Sequence, residues 1–175
     1  SDVSSSDLKA FAYPAQAGPR LLSLGGTAAI VKLWEKKGTT EVGTAIWQKD
    51  FGGKFSRMRD AEVADLYGDG KPTIAVATHD QGVVAVLRPK PDGSFEAIEL
   101  DREPNTFVHE IEIGDLDGDH VLEVYATPSE PNKLDERPQT GQVVRYVPAK
   151  GEGRKVVADA TLHRRRGGPL RFVGR

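Results

Sequence analysis

The chain has 175 residues, of which 38% are hydrophobic and 29% charged, a balance that allows a packed core and excludes wholesale disorder. Its 24 Lys and Arg against 26 Asp and Glu give a net charge of −2, which excludes a globally basic nucleic-acid binder, so we expect no nucleic-acid partner. There is no cysteine, which excludes disulfide scaffolds and thiolate metal sites. No apolar run approaches the roughly 20 residues that a membrane helix needs, so no transmembrane segment is expected.

Residues 1–19 begin with SDVSSSD and are rich in Ser, Ala, Pro and Gly. This composition predicts a linker or a disordered arm. The segment lacks a charged start followed by an apolar core, so we expect no signal peptide in it; a cleaved precursor and a domain cut at its boundary would both begin in this way.

The remainder of the chain shows short strand-like runs separated by turn signals such as KKGTT, YGDGKP and KPDG, and helical periodicity is nearly absent. Many short strands at even spacing indicate an all-β sandwich, barrel or propeller. The predicted strands are Leu21–Leu24, Thr27–Trp34, Thr44–Gln48, Asp60–Ala64, Thr73–Thr78, Val83–Leu87, Phe95–Leu100, Val108–Ile113, Leu122–Thr127, Val143–Val147 and Lys155–Ala158.

An internal repeat decides among these architectures. Arg59–Thr78 align without a gap on His109–Pro128 at an offset of 50 residues, and the segments that start at Gly82 and Gly141 match after them. Each unit contains four strands, with an acidic loop between the first two. Four antiparallel strands in about 50 residues are typical of a propeller blade.

The repeat divides the chain into a partial blade at 20–56 that lacks the acidic loop, one blade at 57–105 and another at 106–160. A basic tail at 161–175 carries five Arg and no acidic residue. The predicted fold is therefore all-β, with about three to three and a half propeller blades in an incomplete ring. Since even a four-blade ring needs about 200 residues, we expect a fragment of a larger propeller, or closure by self-association or by a second chain.

The second acidic loop has the pattern of a cation site. Asp115, Asp117 and Asp119 alternate through a tight turn, and Glu123 follows four residues later. A hard cation such as Ca²⁺ takes six to eight oxygens from carboxylates and backbone carbonyls, and the carbonyl of Val121 is placed to add one. The loop is not an EF-hand, because its sixth position is not Gly and its flanks are predicted strands.

The first acidic loop is a degraded copy of the second. Only Asp65 and Asp69 remain as acids there, because Tyr67 and Thr73 stand where the second loop has carboxylates. We expect weak Ca²⁺ binding or none at this loop.

The stretches DLYGDGKPTIAVAT and DLDGDHVLEVYATP resemble the D-x-D-G-D-G-x-x-D/E loop of FG-GAP/VCBS-type repeats, the calcium-binding blades of integrin-α-like β-propellers. The resemblance covers about residues 57–160. It implies metal ligands at Asp115, Asp117, Asp119, the Val121 carbonyl and Glu123, with remnants at Asp65 and Asp69. His120 departs from the pattern, because the family has Gly at this position, and Gly takes a positive φ more readily.

The resemblance, together with the lack of a convergent nucleophile and base, favours a non-catalytic, calcium-stabilised propeller module. Such a module would bind a protein or carbohydrate ligand or act as a scaffold, in a secreted, periplasmic or cell-surface setting. Two alternatives stay open. One is part of a propeller hydrolase or lyase with a carboxylate site at the channel, where Asp60, Glu62, Glu110 and Glu112 share one face of the inner strands. The other is a structural segment that completes a propeller with another chain.

Overall fold

The computed structural model describes residues 7–15, 18–25, 29–52, 56–130 and 141–159. Twelve strands form three four-stranded antiparallel sheets, so the all-β fold with incomplete propeller blades is confirmed. Within the described ranges the helical content is one 3₁₀ turn, and no helix is long and apolar enough to cross a membrane. The strands are β1 Asp7–Tyr13, β2 Arg20–Gly25, β3 Ala29–Lys37, β4 Thr40–Lys49, β5 Met58–Ala64, β6 Thr73–Thr78, β7 Val83–Pro89, β8 Phe95–Arg102, β9 Phe107–Gly114, β10 Glu123–Ser129, β11 Gln142–Val147 and β12 Glu152–Asp159.

Each sheet is a meander in which every strand pairs with the next one along the chain. The first sheet is β1–β4, the second β5–β8 and the third β9–β12. The two repeats have the same register at an offset of 50: β5 pairs Ala61 with Val76, and β9 pairs Ile111 with Ala126. The sequence repeat therefore corresponds to a repeated sheet.

The first sheet differs from the sequence expectation. β1 lies inside residues 1–19, which were expected to be a linker or arm, and it pairs with β2 through Phe11 opposite Leu22 and Tyr13 opposite Arg20. It forms because alternate side chains are apolar: Tyr13 is buried, and Phe11 packs on the same core. The unit that was expected to be a partial blade thus has all four strands within the described residues.

The second sheet is covered on both faces by its neighbours. Its strand β6 is buried at every position, with alternate side chains entering two different cores. We call the face toward the next sheet in chain order the forward face, and the face toward the preceding sheet the rear face. The rear face of the second sheet contributes Ile74, Val76 and Leu87 to the core with the first sheet. Its forward face contributes Ala75, Ala77, Val84 and Val86 to the core with the third sheet.

One carboxylate joins the inner strands of all three sheets. Asp60, on β5, is 6% exposed and accepts a hydrogen bond from Lys9 on β1. It also accepts hydrogen bonds from the backbone N–H of Ile111 on β9, at 3.0 Å, and from its neighbour Ala61, at 2.8 Å. Because burying a charge is unfavourable unless it is paired and hydrogen-bonded, these contacts account for Asp60 at the interface between the inner strands.

Candidate metal-binding loop

The loop between β9 and β10 is organised by Asp115. Its carboxylate accepts hydrogen bonds from the backbone N–H groups of Gly118 (2.8 Å), Asp119 (3.1 Å) and His120 (2.9 Å). These bonds wrap the backbone around one side chain, as Asp commonly does in turns. The side chain that starts the loop therefore also fixes its shape.

This wrapping brings together three of the sequence-predicted ligands. Carboxylate oxygens of Asp115, Asp117 and Asp119 all lie within 4.8 Å of one another. Within the described ranges, no other group of three or more His, Asp or Glu side chains is close enough to share an ion. The Val121 N–H donates to Asp119 Oδ1 at 2.9 Å, while the role of the Val121 carbonyl as a ligand stays a prediction.

Glu123 lies at the base of the loop and is only 1% exposed. Its Oε2 accepts hydrogen bonds from the Leu116 N–H (3.0 Å) and the Tyr125 hydroxyl (2.5 Å). Burial alone would raise the pKa of Glu123, but these hydrogen bonds and the nearby Arg145 outweigh it and hold the pKa below its usual value. Burial and the same carboxylate raise the pKa of Tyr125 to about 12. Glu123 is therefore a buried anion at neutral pH.

The other oxygen of Glu123 is less well satisfied. Arg145, on β11, has its Nε 2.6 Å from Glu123 Oε1, yet neither buried atom has a hydrogen-bond partner of good geometry. The contact is an ion pair, but the Arg145 Nε–H bond does not point at the carboxylate oxygen. A buried acceptor without a hydrogen bond is an unfavourable arrangement that a cation would relieve.

The loop carries more negative charge than its protein partners neutralise. Arg145 also reaches Asp117, at 3.3 Å, and Lys150 pairs with Asp119. The Lys150 hydrogen bond lowers the pKa of Asp119. The four loop carboxylates thus face two side-chain cations and leave a net charge of about −2, and Glu152, 3.9 Å from Arg145, adds a further negative charge beside them. Neither cation was among the sequence-predicted site residues.

The first loop reaches charge balance with protein groups alone. Asp65 accepts from the N–H groups of Asp69 (3.0 Å) and Gly70 (2.7 Å), so the wrapping is repeated. Asp69 pairs with Arg88 at 2.9 Å and with Lys71 at 3.9 Å. Two carboxylates therefore meet two cations. The Arg88 guanidinium also lies 4.2 Å from the ring of Tyr67, the residue that replaces the middle carboxylate.

His120 has the positive φ that its position in the repeat requires. Its φ is 65°, and the matching Gly70 has φ 77°. The His120 side chain is 96% exposed, and its nearest acidic oxygen, on Asp115, is 3.8 Å away. A non-glycine residue in this region carries a conformational cost. The unfavourable backbone at His120 is therefore not offset by packing of its side chain.

We expect His120→Gly to raise the free energy of unfolding by about 0.5–1 kcal/mol, since glycine takes this φ without strain. Denaturant unfolding in the presence of a chelator measures the change. The reciprocal control is Gly70→His, which should lower stability by a similar amount because the chain has open space around that position. A clear loss of stability in His120→Gly would instead show that the imidazole makes a contact the loop depends on.

The four carboxylates on the inner strands do not share one environment. Asp60 and Glu62 face the third sheet, whereas Glu110 and Glu112 are exposed on the forward face of that sheet. Burial raises the pKa of Glu62, against the opposing effect of Lys9, and the charges of Asp60 and Glu112 add to the rise. Asp60 itself is engaged by backbone and lysine donors. These contacts support a role in joining sheets for the first pair.

Comparison with known proteins agrees with this geometry. Residues 65–126 match the model of the FG-GAP-like repeat, a segment that includes both acidic loops and the strands between them. A search of curated proteins found no match to the chain. The segment from the first acidic loop to β10 is therefore similar to an FG-GAP-like repeat, and it lies in a chain of propeller-type sheets.

Proposed function

We propose that this chain is a calcium-stabilised propeller module that binds or scaffolds other molecules outside the cytoplasm. The observation that carries the proposal is the unbalanced charge of the second loop. Three of its carboxylates lie within 4.8 Å of one another, and Arg145 and Lys150 neutralise only half of the four acids. A divalent cation supplies the missing two charges.

The donor set suits calcium among the common divalent ions. Asp115, Asp117, Asp119 and Glu123 offer hard carboxylate oxygens, and the chain has no cysteine to favour a softer metal. Glu123 Oε1 is buried and has an ion pair with Arg145 but no hydrogen bond of good geometry, so a metal ion would add a partner to it. Calcium would supply charge neutralisation and would tie β9 to β10. Its role in this proposal is structural.

The proposed compartment is one in which calcium is abundant. Extracellular calcium modules have dissociation constants of about 10⁻⁴–10⁻³ M, which match a calcium-rich setting. A secreted, periplasmic or cell-surface location is therefore part of the proposal. The ligand class that we propose is a protein or a carbohydrate, recognised by exposed loops on the rigid sheets.

Calcium should raise the thermal midpoint of the chain by about 3–6 °C at ten times the dissociation constant. Binding at that ratio adds about 1.4 kcal/mol, and 1 kcal/mol shifts the midpoint of a chain of this size by about 2–4 °C. Differential scanning fluorimetry in chelator, with magnesium and with calcium measures the rise. Asp117→Ala should abolish it.

Asp69→Ala in the first loop is the matched control, and it should leave the calcium-dependent rise intact because that loop is balanced by Arg88 and Lys71. A thermal midpoint that does not change in millimolar calcium would contradict the proposal. So would a rise that survives Asp117→Ala, since the ion would then bind elsewhere.

A further inference from the structure

The three sheets leave two comparable faces open. The second sheet is covered on both faces, whereas the described residues leave the rear face of the first sheet and the forward face of the third without a neighbouring sheet. Equivalent positions in the three sheets therefore show what each open face would meet in a closed arrangement.

The forward face of the third sheet exposes a leucine that the repeat elsewhere buries. Leu66 is 1% exposed and packs in the core between the second and third sheets. Leu116 occupies the same position 50 residues later and is 73% exposed. Since a leucine gains about 1.5–3 kcal/mol from burial, its exposure at a position that is buried in the preceding repeat indicates a surface that takes a neighbour.

The rear face of the first sheet shows the complementary feature. Leu22 and Leu24 on β2 are equivalent to Ala75 and Ala77 on β6, since each pair faces the next sheet in chain order. Leu21, one residue before Leu22, is therefore equivalent to Ile74. Ile74 is fully buried in the core between the first two sheets, and Leu21 is 48% exposed. Each open face thus presents one apolar residue at a position that is buried inside the chain.

The inner strands carry charges that match across the same junction. Lys9, Asp60 and Glu110 occupy equivalent positions on β1, β5 and β9, opposite Leu24, Ala77 and Thr127 respectively. Lys9 pairs with Asp60. Asp60 in turn accepts a hydrogen bond from the N–H of Ile111, the residue that follows Glu110 on β9. The Glu110 carboxylate has no hydrogen bond or ion pair within the described part of the chain. A first sheet placed next would bring Lys9 to it.

We propose that these two faces bind each other in a dimer of this chain. The forward face of the third sheet in each copy packs on the rear face of the first sheet in the other, and Glu110 of one copy lies beside Lys9 of the other. Two such junctions close a ring of six four-stranded sheets, within the range of four to eight blades that propellers use. The ring forms with or without calcium.

The chemistry of the open face fits a junction between separate chains. Tyr125, Thr127 and Arg145 occupy this face, whereas the second sheet uses Ala75, Ala77 and Val86 at its own forward face. Interfaces between separately folded chains are more polar than cores within a chain. The junction is therefore apolar at Leu116 and Leu21 and polar around them.

Sedimentation equilibrium of the full chain, in chelator and in calcium, tests the proposal. We expect a mass of about twice 19.0 kDa in both conditions. Leu116→Glu and Leu21→Glu should each weaken association at least tenfold. Both leucines are exposed in the single chain, so circular dichroism should report an unchanged fold. Val156→Glu is the control, because Val156 is 46% exposed on β12 but lies outside both open faces.

Mixing the two leucine variants distinguishes this pairing from other dimers. A mixture of Leu116→Glu with Leu21→Glu retains one junction in which both leucines are native, so it should associate more strongly than either variant alone. A monomeric native chain would overturn the proposal. A dimer lost in only one variant would also overturn it, since the contact would then join like faces, and growth beyond two copies would overturn the closed ring.

Discussion

Leu66→Ala should lower the free energy of unfolding by about 3 kcal/mol, which is in the range for truncating a buried leucine. Leu66 leaves the first acidic loop to enter the core between the second and third sheets and is 1% exposed. Truncation removes apolar contacts with both sheets. It also leaves a cavity, because the hydrogen-bonded strands of the two sheets cannot shift to fill the space. Urea unfolding followed by the fluorescence of Trp34 and Trp47 measures the change.

The repeat provides the matched control for this experiment. Leu116→Ala makes the same substitution at the equivalent position, where the side chain is 73% exposed. At a chain concentration low enough to keep the protein monomeric, this variant should unfold within about 0.5 kcal/mol of the native chain. Equal losses in the two variants would contradict the different environments of the two leucines.

Arg145→Met should be the second severe substitution, with a loss of about 3 kcal/mol in chelator. Arg145 is the only cation paired with Glu123 among the described residues, and removal of one partner leaves a buried carboxylate uncompensated. Calcium should restore part of the loss if it binds beside Glu123 as proposed. Urea unfolding with and without calcium measures both effects.

The pH dependence of the Arg145→Met effect gives a separate check. The folded state lowers the pKa of Glu123, so its ionised form contributes stability above the unfolded value of about 4.3, and this contribution is lost as the pH falls. The difference between Arg145→Met and the native chain should therefore shrink below about pH 4. Arg88→Met, at the exposed pair of the first loop, is the control and should show a much smaller loss at every pH. A difference that persists in acid would assign the loss to packing of the arginine stem.

The repeat made most of the fold predictable. A single offset of 50 residues predicted that Asp60–Ala64 and Val108–Ile113 would be equivalent strands, and the structure gives them the same register against β6 and β10. The alternation of side chains then assigns faces, because successive residues in a strand point to opposite sides. The clustering of the three aspartates in the second loop was predictable from their alternation through a tight turn, and the hydrogen bonds to Asp115 account for that turn.

The first strand was not predicted because it lacks the marker that identified the others. β5 and β9 are each followed by an acidic turn, whereas β1 is followed by Pro14 and Ala15. The surrounding Ser, Ala, Pro and Gly also indicated a linker. The signal that was present is the alternation of Phe11 and Tyr13, whose side chains reach the core on one face of the strand.

The two cations that pair with the second loop could not be predicted from the spacing of residues in the sequence. Arg145 lies 28 residues from Asp117, and Lys150 lies 31 residues from Asp119. They arrive because β11 pairs with β10, which places Arg145 opposite Tyr125 and beside Glu123. A local sequence pattern predicts the acids of such a loop, but strand pairing determines which positive groups face them.

Asp60 also has a consequence for how the chain unfolds. In many repeat proteins each unit contacts only its neighbours, so units can unfold one at a time. Here one buried carboxylate contacts β1 and β9 together, across 51 residues in each direction. If either outer sheet detached, this carboxylate would lose the hydrogen-bond donor that the sheet supplies. We therefore expect Asp60 to disfavour states in which one outer sheet has detached, because each such state leaves the buried carboxylate with fewer donors.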